Sequence, residues 1–332
     1  MNNKRFQLFF AVLLIAGLML GACTPATPPA EEPSVPEVAS TEPPAPEPTV
    51  EPEPEIMVFT DDLGNMIEFT DYPQAIVSLS ASTTEILFAI GAGNQIVGRD
   101  DFSLYPEEAL EVTSVGALWG ELPTEAILAL EPDLVVAAEI ISEDQVLALR
   151  DLGLNVYWQA NPTTYDELWE NLRDFAKLTG HEDETEALIA DLDVRVKAVQ
   201  EKIAPLSYRP SVFYELDATD PSAPWTTGTG TFIDYIIASA GGSNAASALE
   251  GDYIQISAEE LIAVNPDVIL LADALYGVTP ESIAERPGWD VITAVVNNTI
   301  YPIDPNMMSV PGPRLVDALE ETAKILHPGV FE

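Results

Sequence analysis

The chain repeats itself once, at a spacing too long for a solenoid. Trp119–Ala137 reads WGELPTEAILALEPDLVVA and Tyr253–Leu271 reads YIQISAEELIAVNPDVILL, each position displaced by 134. Both copies run from an aromatic through a short polar turn into a short helix, then Pro-Asp, then an unbroken apolar run. Solenoids need roughly three or more units at shorter period, so this single duplication predicts two equivalent lobes. Lobes that face each other enclose a cleft. The copies set matching aromatics, Trp119 and Tyr253, at its mouth and matching carboxylates, Glu125 and Glu259, on its rim.

The segments around the copies fit that plan. MVFTDDLGNMIEFT alternates about Leu63-Gly64-Asn65 and predicts a hairpin. Buried-type strands at 75–79, 95–98, 155–158 and 211–216 alternate with helical patterns, which predicts helix-covered parallel sheets. Ser82-Thr83-Thr84-Glu85 reads as a capping box opening EILFAI, which Gly91 or Gly93 stops. From Glu182 to Ile203, apolar residues at Ile189, Leu192, Val196, Val199 and Ile203 mark a helical stripe. Lying midway between the copies, this helix reads as a connector, although an ordinary core helix has the same pattern. The last helix is GPRLVDALEETAKILHP, with Pro313 in its first turn. The expected organisation is a first lobe over 56–180, a connecting helix over 181–205 and a second lobe over 206–332.

Ahead of these, Lys4 and Arg5 precede an apolar run from Phe6 to Leu20 and then Leu20-Gly21-Ala22-Cys23. The run is short for a spanning helix, which takes about 20 apolar residues. It fits an export signal over 1–22. A signal ending on the chain's single Cys matches the bacterial lipoprotein box, where that thiol carries a lipid; a plain secretory signal followed by an incidental Cys is the alternative. Residues 23–55 are Pro, Glu, Thr, Ala and Val with little that is bulky, the composition of an extended stalk. The expected location is therefore extracytoplasmic and membrane-tethered. With one Cys, no internal disulfide can form, so the core alone must hold the fold. A formal net charge of −42 disfavours nucleic acid and strongly anionic ligands, though it also simply keeps an exported protein soluble.

Catalysis finds little support. The histidines are His181 and His327 alone, both expected at the surface, so an imidazole-rich metal site is not available. No GxSxG elbow or catalytic Cys is present, and Gly228-x-Gly230 lacks the third Gly and the Lys of phosphate loops. Binding remains. Phe102, Trp119, Trp225 and Tyr253 fall in loops that follow strands or precede helices, the edge where open α/β sheets take ligands. Aromatics there give rigid, largely apolar contact, and Arg99 is the nearest cation. These features predict a large, flat-sided ligand that is not strongly anionic. Glu125 and Glu259 each open a helix, where a carboxylate is favourable to the dipole; they also fit two charged contacts for a partner with two-fold symmetry.

From about Met57 to Pro328 the chain resembles the substrate-binding proteins of ABC transporters of the cobalamin, siderophore and haem type. The stretches that carry the likeness are IVSLSASTTEILFAIGAG, VGRDDFSLYP, LPTEAILALEPDLVV, SAEELIAVNPDVILL and GPRLVDALEETAKILHP. The resemblance implies two Rossmann-like α/β lobes joined by one long α-helix, no enzymatic activity and no resident cofactor. It is strongest to cobalamin-binding members, and implies a corrinoid stacked on Phe102, Trp119, Trp225 and Tyr253, with Glu125 and Glu259 docking a permease that works with an ATPase. It implies a monomer. A further cleft Trp of those members falls on Ala138, and their polar Asp- and Arg-bearing stretch reads Asn306 to Val310 here. A ferric siderophore or haem is the other ligand class, with Tyr253, Met307 or Met308 as possible axial ligands. A surface lipoprotein for adhesion or sensing is the rival outside transport.

Overall fold

The alternation of strand and helix resolves into two parallel sheets on either side of a long helix. The computed structural model describes residues 56–331, which belong to one unit of the chain; the predicted signal, Cys23 and stalk lie outside the described residues. A hairpin of β1 (Met57–Thr60) and β2 (Met66–Phe69) comes first. The first lobe then runs β3 (Ile76–Ser78), α1 (Ala81–Ala89), β4 (Ile96–Asp100), β5 (Thr113–Gly116), α2 (Thr124–Ala129), β6 (Leu134–Ala138), α3 (Glu143–Asp151), β7 (Val156–Gln159) and α4 (Tyr165–Thr179). Its sheet has the order β5-β4-β3-β6-β7, all parallel.

Next comes α5 (Glu182–Ile203), whose 22 residues span about 33 Å at 1.5 Å per residue. The second lobe runs β8 (Ser211–Glu215), β9 (Trp225–Thr227), α6 (Phe232–Ser239), β10 (Ser243–Asn244), β11 (Tyr253–Gln255), α7 (Ala258–Val264), β12 (Val268–Leu271), α8 (Pro280–Ala284), α9 (Thr293–Asn297), β13 (Ile300–Pro302), α10 (Pro305–Met308) and α11 (Leu315–Leu326). Its parallel sheet has the order β10-β8-β12-β13, while β9 and β11 pair antiparallel in a separate ribbon. The structure is thus the expected pair of α/β lobes joined by a helix.

The predicted stripe on α5 is buried along its whole length. It packs against α4 and α11, so one continuous apolar core runs from Ile76 and Leu134 through Leu192 and Val196 to Val212 and Leu270. A smaller core fills the other face of each sheet. Because the main core is shared, large independent swings of the lobes would open apolar surface to water.

The Pro-Asp pair of each copy has a structural task. Asp133 accepts hydrogen bonds from the backbone N–H of Gln74 (2.8 Å) and Ala75 (3.0 Å), and Asp267 accepts from Ser211 N–H (2.9 Å). Each carboxylate thereby fastens the start of its lobe's central strand. The residue before each Pro-Asp, Glu131 in one copy and Asn265 in the other, is left-handed, with φ of 48° and 49°. The repeat extends to backbone torsions.

Local expectations needed four corrections. Helix α1 is capped by Ser80, whose hydroxyl accepts from Ser82 N–H, not by a box starting at Ser82; Glu85 points away from the cap and pairs with Arg314. Arg99 and Asp100, expected in a loop, finish β4 and are buried. Pro313 lies just ahead of α11, which starts at Leu315 after an Arg314 N-cap. The histidines are half-buried and not surface residues: the His181 ring packs on Gly91 and the His327 ring on Gly241, the corresponding glycine stops of the two lobes.

Candidate functional site: an aromatic cleft between the lobes

The loops at the carboxyl ends of the two sheets meet. A recess of about 130 Å³ is lined by Phe102, Leu104 and Tyr105 of the first lobe and by Asp304, Asn306 and Arg314 of the second. Arg314 of its lining belongs to a cross-lobe ion pair. Glu85 accepts from the Arg314 backbone N–H (3.0 Å) and from its guanidinium (2.8 Å), while the same guanidinium stacks 3.8 Å from the Tyr105 ring. Burial pushes the Glu85 carboxyl above its ordinary range, against the pull of Arg314.

Phe102 is held at this recess by what lies beneath it. The buried Asp100 carboxylate accepts from Phe102 N–H (2.9 Å) and from the Ser103 hydroxyl. Ser103 bonds in turn to Thr84 (2.8 Å), Thr84 to Ser78 (2.8 Å) and Ser78 to Thr83 (2.7 Å), a buried chain of hydroxyls. The polar run in LSASTTE is therefore a satisfied seam under the loop, as buried hydroxyls require. Trp119 meets Phe102 edge to face, with ring centroids 5.6 Å apart, and is 69% exposed. That is a large apolar surface left in water.

In the second lobe, Trp225 and Tyr253 lie on the β9–β11 ribbon and not in loops as expected. Gln255 is opposite Trp225 and Tyr253 is opposite Thr227, so by the two-residue period Trp225 and Tyr253 share one face as diagonal neighbours. Both are partly exposed. The ribbon is closed at Gly228, where a Cβ would fall 1.9 Å from the Gly251 carbonyl oxygen, and Gly230 is left-handed with φ of 85°; the close approach explains the first Gly of the Gly-x-Gly and the torsion the second. The Tyr253 phenol is pushed up, first by burial and then by the charges of Glu139 and Asp252. Glu139 belongs to the other lobe and is exposed just past β6.

Glu125 and Glu259 are both exposed. At the second helix the capping role belongs to Glu260, which accepts from the Ser257 N–H (3.1 Å) and hydroxyl (2.8 Å). At the first, Pro123 is the N-cap and no side chain caps the helix. Among the described residues neither Glu125 nor Glu259 has an internal hydrogen bond or ion pair.

The other candidates fare less well. Arg99 donates to the carbonyls of Ala109 (2.7 Å) and Asp100 (2.8 Å), so it is not free for a ligand. Met308 is fully buried, its sulfur accepting from Thr322 (3.8 Å). A concavity of about 920 Å³ lies within the first lobe beside Phe88, Tyr105, Glu108 and Glu111 and holds none of the four aromatics. The residue that the sequence reading missed is Glu139. It follows Ala138 directly, and continuing the repeat by two positions pairs it with Asp273.

With this geometry in view, the comparisons give the family. The chain belongs to the periplasmic binding protein family, whose profile matches residues 76–307, as a substrate-binding component of an ABC transporter. A Bacillus subtilis relative, the uncharacterized ABC transporter substrate-binding lipoprotein YvrC, is 32% identical over 281 residues, 83% of this chain and 87% of that one. The vitamin B12-binding protein of Vibrio cholerae is 28% identical over 261 residues, 76% of this chain and 89% of its own length. Among solved structures, the periplasmic heme-binding protein RhuT from Roseiflexus sp. RS-1 superposes with a TM-score of 0.69 at 28% identity, over 77% of this chain and 99% of that one. Vitamin B12-binding BtuF of Vibrio cholerae gives 0.67 at 25% identity, over 78% and 99%. Such proteins are extracytoplasmic binding components, not enzymes, and work with a permease and its ATPase. No helix among the described residues is long and apolar enough to cross a membrane.

Proposed function

We propose that the protein captures a corrinoid between its lobes and hands it to an ABC permease. One observation carries the choice of ligand: the arginines nearest the cleft are already committed. Arg99 is bound to backbone carbonyls, Arg314 to Glu85 and Arg286 to Glu215. A triscatecholate siderophore or the propionates of haem would find carboxylates in place of counter-ions. Haem iron is also poorly served, because Met308 is buried, Met307 packs against the main core, and the upward-shifted Tyr253 phenol resists becoming the phenolate that iron binds. A corrin ring with neutral amide arms suits four aromatics and few cations. Haem remains the second reading, favoured by the likeness to a heme-binding structure. Titration calorimetry of residues 56–332 with cyanocobalamin, cobinamide, haem and ferric siderophores tests this. Binding of a corrinoid alone is expected; preference for haem or a siderophore contradicts it.

Glu125 and Glu259 are assigned to permease docking. Both stand in the first turn of a helix, where a carboxylate also favours the dipole, but neither caps its helix, and exposed rim charges of this kind orient a partner. Reversing both, Glu125→Arg with Glu259→Arg, abolishes binding to the purified permease while leaving ligand affinity unchanged. Unchanged permease binding would favour the adhesion or sensing role. Cys23 is assigned as the lipid attachment point, consistent with the lipoprotein named above. Cys23→Ser then releases the protein from the membrane fraction, whereas retention refutes the anchor. The protein acts as a monomer in this scheme, with no resident cofactor.

A further inference from the structure

Glu139 stands where an open α/β sheet binds its ligand. In the order β5-β4-β3-β6-β7 the chain leaves β3 for β4 on one side and returns to β6 on the other, so the switch point lies between the carboxyl ends of β3 and β6. Glu139 is the first residue beyond β6. It is exposed, and its carboxylate is held by the Asn161 side-chain amide, which donates at 2.9 Å. After burial, its charge is a cause of the upward shift of the Tyr253 phenol of the other lobe. The equivalent residue of the second lobe, Asp273, is 4% exposed and receives the Ala218 N–H at 3.1 Å. Only one switch point therefore offers a carboxylate to the space between the lobes. No guanidinium offsets it there, since Arg314 is held by Glu85 and Arg286 by Glu215.

We propose that Glu139 is a specificity-determining residue that selects the charge of the bound ring: its positioned carboxylate accepts hydrogen bonds from the N–H groups of a neutral or cationic ligand and repels one bearing carboxylates. This rests on the corrinoid reading and sharpens it. A base-free corrinoid with water on cobalt is cationic, cyanocobalamin is neutral overall, and haem carries two propionates; the probes differ in shape as well as charge, and the salt dependence isolates the charge effect. An ionic hydrogen bond desolvated in a cleft contributes on the order of tenfold in affinity. Asn161 acts through Glu139 by fixing its rotamer, as a positioning residue.

The test is calorimetry of residues 56–332 and of Glu139→Gln with aquocobinamide, cyanocobalamin and haem at low and high salt. Expected for Glu139→Gln is a loss of about tenfold for aquocobinamide, a loss of less than about threefold for cyanocobalamin and a gain for haem. The aquocobinamide loss should shrink as salt screens the charge. Asn161→Ala gives a partial version of the same pattern, and the thermal midpoints of both variants stay at that of the wild type. Equal losses for all three probes, or none, overturn the proposal while leaving corrinoid capture intact. Tighter wild-type binding of haem than of either corrinoid overturns both.

Discussion

The two lobes differ most where their sheets are most alike. At the second switch point, Glu215 ends β8 fully buried, with Arg286 donating to both its oxygens (2.5 and 2.8 Å) and stacking 4.5 Å from the Trp289 ring. Asp273 is buried beside it with one oxygen lacking a partner. At the first switch point the position of Glu215 is taken by Leu79, fully buried and apolar, and that of Asp273 by the exposed Glu139. The second lobe closes two carboxyls over a single guanidinium; the first packs hydrocarbon and leaves its carboxylate exposed. Burying charge costs free energy unless every partner is present, so the second lobe's switch point depends on Arg286 and the first lobe's depends on no such partner. The same frame supports both.

This contrast can be broken most severely at Arg286. Arg286→Ala strands two buried carboxyls and should destabilise the protein by about 3–5 kcal/mol, read as a fall in the denaturant midpoint. Arg314→Ala strands only Glu85 and should cost less, about 3 kcal/mol. Proton linkage comes next. Burial pushes the Glu215 carboxyl up to about 7, with Arg286 opposing, and Asp273 is also raised by burial. A carboxyl whose folded value is raised contributes stability that is complete below its unfolded value of 4.5 and is lost as pH climbs through about 7. The denaturant midpoint should therefore fall between about pH 4.5 and pH 7 and level off above, and Glu215→Gln should flatten that fall; an equally steep fall in the variant would place the titration elsewhere. The mildest test uses the matched left-handed residues. Asn tolerates that region better than Glu, so Glu131→Asn should raise stability by about 0.5–1 kcal/mol; Asn265→Glu should lower it by more, because the Asn265 side chain also accepts a hydrogen bond from Thr293 N–H (2.7 Å).

Much of this was legible in the chain. The 134-residue displacement gave the lobes, the stripe from Ile189 to Ile203 gave the connector, and the aromatic-to-helix grammar put Trp119 and Tyr253 beside exposed rim carboxylates. What could not be read was pairing at long range. Glu85 looked like a capping residue because its partner Arg314 is 229 positions away. Arg99 looked available to a ligand because its acceptors are backbone carbonyls, which carry no sequence signal. Trp225 and Tyr253 looked like loop residues because a ribbon of three-residue strands is too short to show alternation. Glu139 was within reach: its position is fixed by the repeat, but the repeat was followed only as far as its apolar run.

The central claim is that both lobes grip one ligand. Paired titrations of Trp119→Ala and Tyr253→Ala with cyanocobalamin test it most directly. Each truncation should weaken one-to-one binding by about 30-fold, corresponding to roughly 2 kcal/mol for an aromatic anchor. If one variant binds as tightly as the wild type while the other loses the ligand, the site belongs to a single lobe and the shared cleft is wrong.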